Sequence, residues 1–140
     1  MGVVQEAFRN ERGRYRRGRV TGESSPGLCT FCGIISGSLP SEKVYEDEFI
    51  LAFRNVLDWV PVMLLIVPKE HLTQEDLWRS GDLLARLGRL AVDLGNERCP
   101  DGFRVLSNFG PDALQTQHHG HLHVIGGERL GLYVRTPLGH

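Results

Sequence analysis

The longest apolar stretch of the chain, Trp59 to Pro68, covers ten residues, and within it Val62 to Val67 runs without a polar interruption until Pro68 stops it. A membrane helix needs roughly 20 such residues. The run reads instead as a β-strand covered on both faces, and a strand of that kind belongs in the middle of a sheet. The rest of the chain must then supply its neighbours and its cover.

The flanking patterns supply both. Cys29 to Ser36 reads as a short helix or turn closed by Gly37, with Phe31, Ile34 and Ile35 available for burial. Lys43 to Glu46 and Phe49 to Arg54 are two β-prone runs around Asp47 and Glu48, which predicts a hairpin. From Asp82 to Leu94, Leu83, Leu84, Leu87, Leu90, Ala91 and Leu94 recur at helical spacing, with Arg86, Arg89 and Asp93 on the other side. Ser80 is placed to cap this helix, and Gly95 with Asn96 to end it. Phe103 to Asn108 reads as a strand, Gly110 to Asp112 as a loop, and Gln117 to Ile125 as a last strand that stops at Gly126 and Gly127. The order predicts an α+β domain: a mainly antiparallel five-stranded sheet with one long and one short helix.

At 140 residues, with 41% apolar and 24% charged side chains, the chain suits one packed domain and not a disordered polymer. Its charge is uneven. Residues 1–27 hold six arginines against three glutamates, net +3, and the other 113 residues hold ten bases against fourteen acids, net −4. A basic arm, 1–27, therefore precedes a domain spanning 28–140. Such an arm can bind nucleic acid through phosphates, but a solvated tail is the commoner outcome and the one expected. The first thirty residues show no secretory core, and three cysteines are not a disulfide framework. A cytoplasmic protein without membrane association is expected.

Four of the six histidines fall within six residues: His118, His119, His121 and His123. On an extended strand, His119, His121 and His123 share one face, while Gly120, Leu122 and Val124 share the other. A lone histidine in a strand is most often an ordinary polar neighbour. Three at period two form a row of imidazoles that can bind metal, relay a proton or attack as an unprotonated nucleophile.

His119-Gly120-His121-Leu122-His123-Val124-Ile125 strongly resembles the signature of the histidine triad family. Cys29-Thr30-Phe31-Cys32, Val44-Tyr45-Glu46-Asp47, Ala52-Phe53 and Ile66-Val67-Pro68-Lys69-Glu70-His71 occur in the order found in its bacterial members. The likeness extends from about Cys29 to Gly127. It implies the HIT-like fold, a purine nucleotide substrate, a homodimer and attack on an α-phosphate. His121 would be the nucleophile that forms a nucleotidyl-histidine intermediate, its other ring nitrogen bonded to a carbonyl near His119. His123, Thr116 and Asn108 would contact the phosphate, with Gln115 and the 110–114 loop supplying backbone donors. Phe31, Ile34 and Phe53 would hold the base and Asn55 the ribose.

The chain departs from the family at several of these places. Asn55 stands where many members have aspartate, Met63 where many have a fourth histidine, and Thr116 where serine is usual. Ala113 and Leu114 replace glycines, and Arg54 replaces a frequent histidine, free to meet a phosphate or solvent.

Cys29 and Cys32, two residues apart, can reach one ion. The resemblance would complete a structural zinc site with His71 and His119. A redox pair or two inert thiols are the alternatives, and Cys99 has no such companions. The leading functional expectation is hydrolysis of nucleoside phosphoramidates or related adenylated compounds. Cleavage of dinucleoside polyphosphates, a non-catalytic nucleotide-binding module, and a catalytic metal on the three triad histidines stand against it.

Overall fold

The structure, a computed structural model, describes residues 28–132, so the basic arm lies outside the described residues. Helix α1, Thr30–Ser36, begins where the Cys29 Sγ accepts the Cys32 N–H at 3.3 Å. It ends where Gly37, at φ +88°, returns its N–H to the Ile34 carbonyl. Phe31 and Ile34 are its buried residues.

Strands β1 (Lys43–Glu46), β2 (Ile50–Arg54), β3 (Val62–Pro68), β4 (Phe103–Leu106) and β5 (Leu122–Gly126) form one antiparallel sheet in the order β1-β2-β3-β5-β4. The apolar run is thus the central strand, buried from Met63 through Pro68. Helix α2 (Gln74–Trp78) and the seventeen-residue α3 (Asp82–Arg98) follow it, and a 3-10 turn, Pro111–Ala113, sits between β4 and β5. No helix among the described residues is long and apolar enough to cross a membrane.

Three local expectations need correction. Helix α3 does not stop at Gly95 and Asn96. Gly95 is inside it because a Cβ there would come within 2.4 Å of the Phe103 ring, so the glycine serves close packing and not termination. Gly81 is the boundary residue at the other end, although Ser80 Oγ does accept the Leu84 N–H at 3.1 Å. Helix α2 adds a second short helix. Thr73 Oγ1 accepts the Asp76 N–H at 3.0 Å, a capping pattern that Thr73-x-x-Asp76 carries in the sequence. Finally, β4 ends at Leu106 and β5 begins only at Leu122. The residues before β5 spend their backbone groups elsewhere: Gly120 N–H on the Leu72 carbonyl and His121 N–H on the Gln74 side chain, both at 2.7 Å.

The sheet has two unlike faces. Ile50, Ala52, Leu64, Ile66, Leu122 and Val124 pack under α2 and α3 with Leu77, Leu87, Ala91 and Leu94. On the other face Leu51, Phe53, Leu65 and Val67 pack with Phe31 and Ile34 of α1, and this smaller cluster leaves part of β3, β4 and β5 uncovered by helix.

Candidate functional site

The alternation expected for the histidines holds even though the β5 ladder starts late. Gly120 points at the helices, where a Cβ would lie 2.9 Å from the Thr73 carbonyl oxygen and 3.0 Å from Leu77, so no larger residue fits between His119 and His121. His121 is then turned to the α1 side and held at both backbone ends. Gln74 Oε1 accepts its N–H, and Ser107 donates its hydroxyl to the His121 carbonyl at 2.6 Å. Trp78 Nε1–H in turn donates to Ser107 Oγ at 3.1 Å.

The His121 Nδ1 lies 2.7 Å from the carbonyl of His119. A carbonyl can only accept, so Nδ1 carries the proton and Nε2 is left with the lone pair. Burial, reinforced by the neighbouring His123 and opposed by that hydrogen bond, pulls the His121 imidazolium down to about 3. Burial also pulls His123 down to about 4. The two rings sit 4.9 Å apart, and the Phe31 ring meets His121 edge-on at 5.1 Å.

His121 and His123 line a cavity of about 320 Å³ with Phe31, Asn55, Asn108 and Thr116. That is the lower end of the range for small-molecule sites. Met63, which cannot handle a proton, and Leu114, in place of a glycine, line it too, as do Leu57, Trp59, Leu65, Leu106, Ala113, Gln117 and Ile125. Three expected nucleotide contacts lie elsewhere. Ile34 and Phe53 are in the buried cluster behind the wall, Phe53 against the ring of Phe31 at 5.6 Å. The Gln115 backbone N–H is given to the Gly110 carbonyl at 3.1 Å, and its side chain is a buried brace whose Oε1 accepts the Gly110 N–H and whose Nε2 donates to the Gln117 carbonyl, both at 2.8 Å. Arg54 pairs with Glu42 at 3.5 Å. Gln74 and Ser107 were not anticipated, since neither side chain sits in a reactive pattern and only the folded contacts bring them to His121.

On the flank of this site Cys29, Cys32, His71 and His119 gather their ligand atoms within 4.8 Å of one another. The separations are 3.4 Å from Cys29 Sγ to His119 Nδ1, 3.3 Å from Cys32 Sγ to His71 Nδ1, 3.6 Å from Cys32 Sγ to His119 Nδ1, and 3.2 Å between the two Nδ1 atoms. A tetrahedral zinc with ordinary Zn–S and Zn–N bonds has edges of roughly 3.3 to 3.8 Å. The set therefore fits zinc. His119 Nε2 donates to the Pro68 carbonyl at 2.8 Å, which turns the Nδ1 lone pair toward the two thiols. Without a cation, burial pushes the Cys29 thiol up to about 12, the opposite of the lowered value a reactive redox cysteine needs. A bound divalent ion supplies the charge that deprotonates such a thiol. With His119 committed to Pro68 and the cysteines, and His121 Nδ1 to a carbonyl, the three triad histidines do not converge on one ion.

Comparison with known proteins agrees with this geometry. Residues 36–130 match the HIT domain family. The chain is 37% identical over 105 residues to a 14 kDa zinc-binding protein of Brassica juncea, covering 71% of this chain and 93% of that one. It is 37% identical over 116 residues to adenylylsulfatase HINT1 of Arabidopsis thaliana, covering 79% and 78%. Among solved structures, a histidine triad protein from Clostridium difficile superposes with a TM-score of 0.69 at 34% identity, covering 76% of this chain and 96% of that chain. A Zn-bound histidine triad family protein from Mycobacterium smegmatis gives 0.66 at 29%, covering 81% and 86%.

Proposed function

Since the chain belongs to the HIT family of nucleotide-binding hydrolases, we propose that it hydrolyses nucleoside phosphoramidates or related adenylated compounds through a nucleotidyl intermediate on His121. The observation that carries this reading is the tautomer: with Nδ1–H spent on the His119 carbonyl, Nε2 of a buried, neutral imidazole beside a cavity is a nucleophile that needs no separate base.

The steps follow from the residues around it. The Nε2 lone pair forms a bond to the α-phosphorus, and the bond from phosphorus to the leaving nitrogen or oxygen breaks, its electron pair departing with that atom. Water then attacks the phosphorus and the P–Nε2 bond breaks, releasing a nucleoside monophosphate and restoring the imidazole. His123, Thr116 and Asn108 line the same cavity, and they are assigned to the phosphate oxygens as charge develops there. Phe31 and Asn55 are assigned to the purine nucleoside. Zinc on Cys29, Cys32, His71 and His119 would be structural, because four protein ligands leave no open position for water.

The reading places the chain in the cytoplasm, where thiols stay reduced for the metal. It also includes a homodimer: β4 is a sheet edge, and Val92 on α3 is 48% exposed. Light scattering should return twice the chain mass. The test of the activity is release of AMP or GMP from a nucleoside phosphoramidate by the wild type and by His121→Ala; equal rates would remove the assignment of that residue.

A further inference from the structure

The main chain of His121 lies where the sheet has run out. Carried two residues past the pair Leu106–His123, the β4–β5 register sets Asn108 opposite His121, but β4 has already ended at Leu106. Side chains therefore meet the His121 peptide groups where a ladder would have done so. Gln74 Oε1 accepts the N–H at 2.7 Å, and Ser107 Oγ donates to the carbonyl at 2.6 Å. A serine hydroxyl turns freely about χ1 unless a second partner holds it.

That partner is Trp78, at the end of α2. An indole N–H only donates and a carbonyl only accepts, so the direction of both bonds is fixed. Trp78 Nε1–H donates to Ser107 Oγ at 3.1 Å, which leaves the hydroxyl proton for the His121 carbonyl. The same indole meets the Phe109 ring edge-on with centroids 6.0 Å apart. It thus grips the residues on both sides of Asn108, whose carbonyl accepts from Gln74 Nε2 at 3.0 Å. Trp78 is 41% exposed and belongs to neither apolar cluster of the sheet, so core burial does not account for an indole at this place.

We infer that Ser107 and Trp78 are positioning residues for the reaction at His121, acting in series through the His121 carbonyl. Neither lines the cavity, so neither meets the substrate. The inference rests on the nucleotidyl-transfer role of His121. The imidazole is held at Nδ1 by the His119 carbonyl, and the Ser107 bond holds the main chain from which the ring projects. Together they give Nε2 one direction. Displacement at phosphorus needs the attacking lone pair in line with the breaking bond, and a misplacement of about 1 Å costs up to about a hundredfold in rate. Substrate affinity, set by other residues, should not follow.

The experiment measures kcat and KM of the full chain on adenosine 5′-phosphoramidate, with AMP affinity and melting temperature alongside. Ser107→Ala should lower kcat by about fivefold or more, with KM and the Kd of AMP within about twofold of wild type. Ser107→Thr keeps the hydroxyl and should recover most of that loss. Trp78→Phe keeps a ring beside Phe109 and removes only the N–H; its kcat should fall between those of wild type and Ser107→Ala. The double variant Trp78→Phe/Ser107→Ala should match Ser107→Ala alone, because the indole works through the hydroxyl. A smaller loss in Ser107→Ala, a loss carried by KM, a threonine variant as impaired as the alanine one, a Trp78→Phe kcat equal to wild type, or losses that multiply in the double variant would each overturn the inference. Turnover by His121→Ala as fast as by the wild type, or a wild type that binds AMP and cleaves nothing, would instead overturn the His121 reading and take this inference with it.

Discussion

On β5 the side chains of Leu122 and Val124 are buried under α3, while His123 between them and His121 just before the strand line the cavity beside α1. The same alternation runs through β3, where Leu64 and Ile66 join the helix-covered core and Met63 and Leu65 face the cavity. One face is closed by a seventeen-residue helix over a large apolar cluster; the other is closed in part by seven residues and four metal-fitting side chains. The contrast teaches how a small domain can expose reactive groups without loosening. Strand β5 gives Leu122 and Val124 to cohesion, which leaves His123 between them to face the cavity.

The comparison predicts that the two faces respond differently to truncation. His121→Ala should lower turnover of a nucleoside phosphoramidate by on the order of 10³-fold or more, as loss of a nucleophile does. Its melting temperature should move little, since the removed ring borders a cavity. A large fall in melting temperature would show that the cavity face is part of the core. Leu87→Ala, under the fully covered face, should do the reverse. It should cost about 2 to 5 kcal/mol, equivalent to roughly 10 °C or more of melting temperature, with kcat preserved in the fraction that stays folded.

Cys32→Ser sits between these extremes. Zinc content measured by mass spectrometry should drop well below the wild-type stoichiometry and thermal stability should fall, while chelation of the wild type should produce the same loss. An unchanged metal content would remove Cys32 from the ligand set. The smallest effects contrast two glycines of α3. Gly88 has nothing within 4 Å of an added Cβ, and Gly88→Ala should stabilise by about 0.5 to 1 kcal/mol. Gly95→Ala, whose Cβ would meet the Phe103 ring, should destabilise by about 1 to 3 kcal/mol in chemical denaturation.

These two glycines also mark what the sequence could and could not tell. Val62 to Val67 announced the central strand because a run that is apolar at every position has few other homes. The triad announced its shared face because period-two alternation persists even where the ladder bonds do not. Gly95 misled because a glycine required by close packing and one that ends a helix look alike as letters. The zinc-fitting set spans 39 residues from Cys32 to His71 and 48 from there to His119, so spacing alone could propose the two cysteines, but only the fold brings all four together. Ile34 and Phe53 were expected at the base because their apolar character is the same in a pocket wall as in the layer behind it.

Gln74 illustrates the part that no motif carries. It is 1% exposed, its Oε1 receives the His121 N–H and its Nε2 donates to the Asn108 carbonyl at 3.0 Å. A single planar amide therefore spans the gap between the nucleophile's own peptide and the loop expected to meet the phosphate. The width of the reactive gap is thus ruled by the fixed length of one rigid group, as a spacer sets the jaws of a gauge, and the surrounding oily layers could be rebuilt without altering that measure.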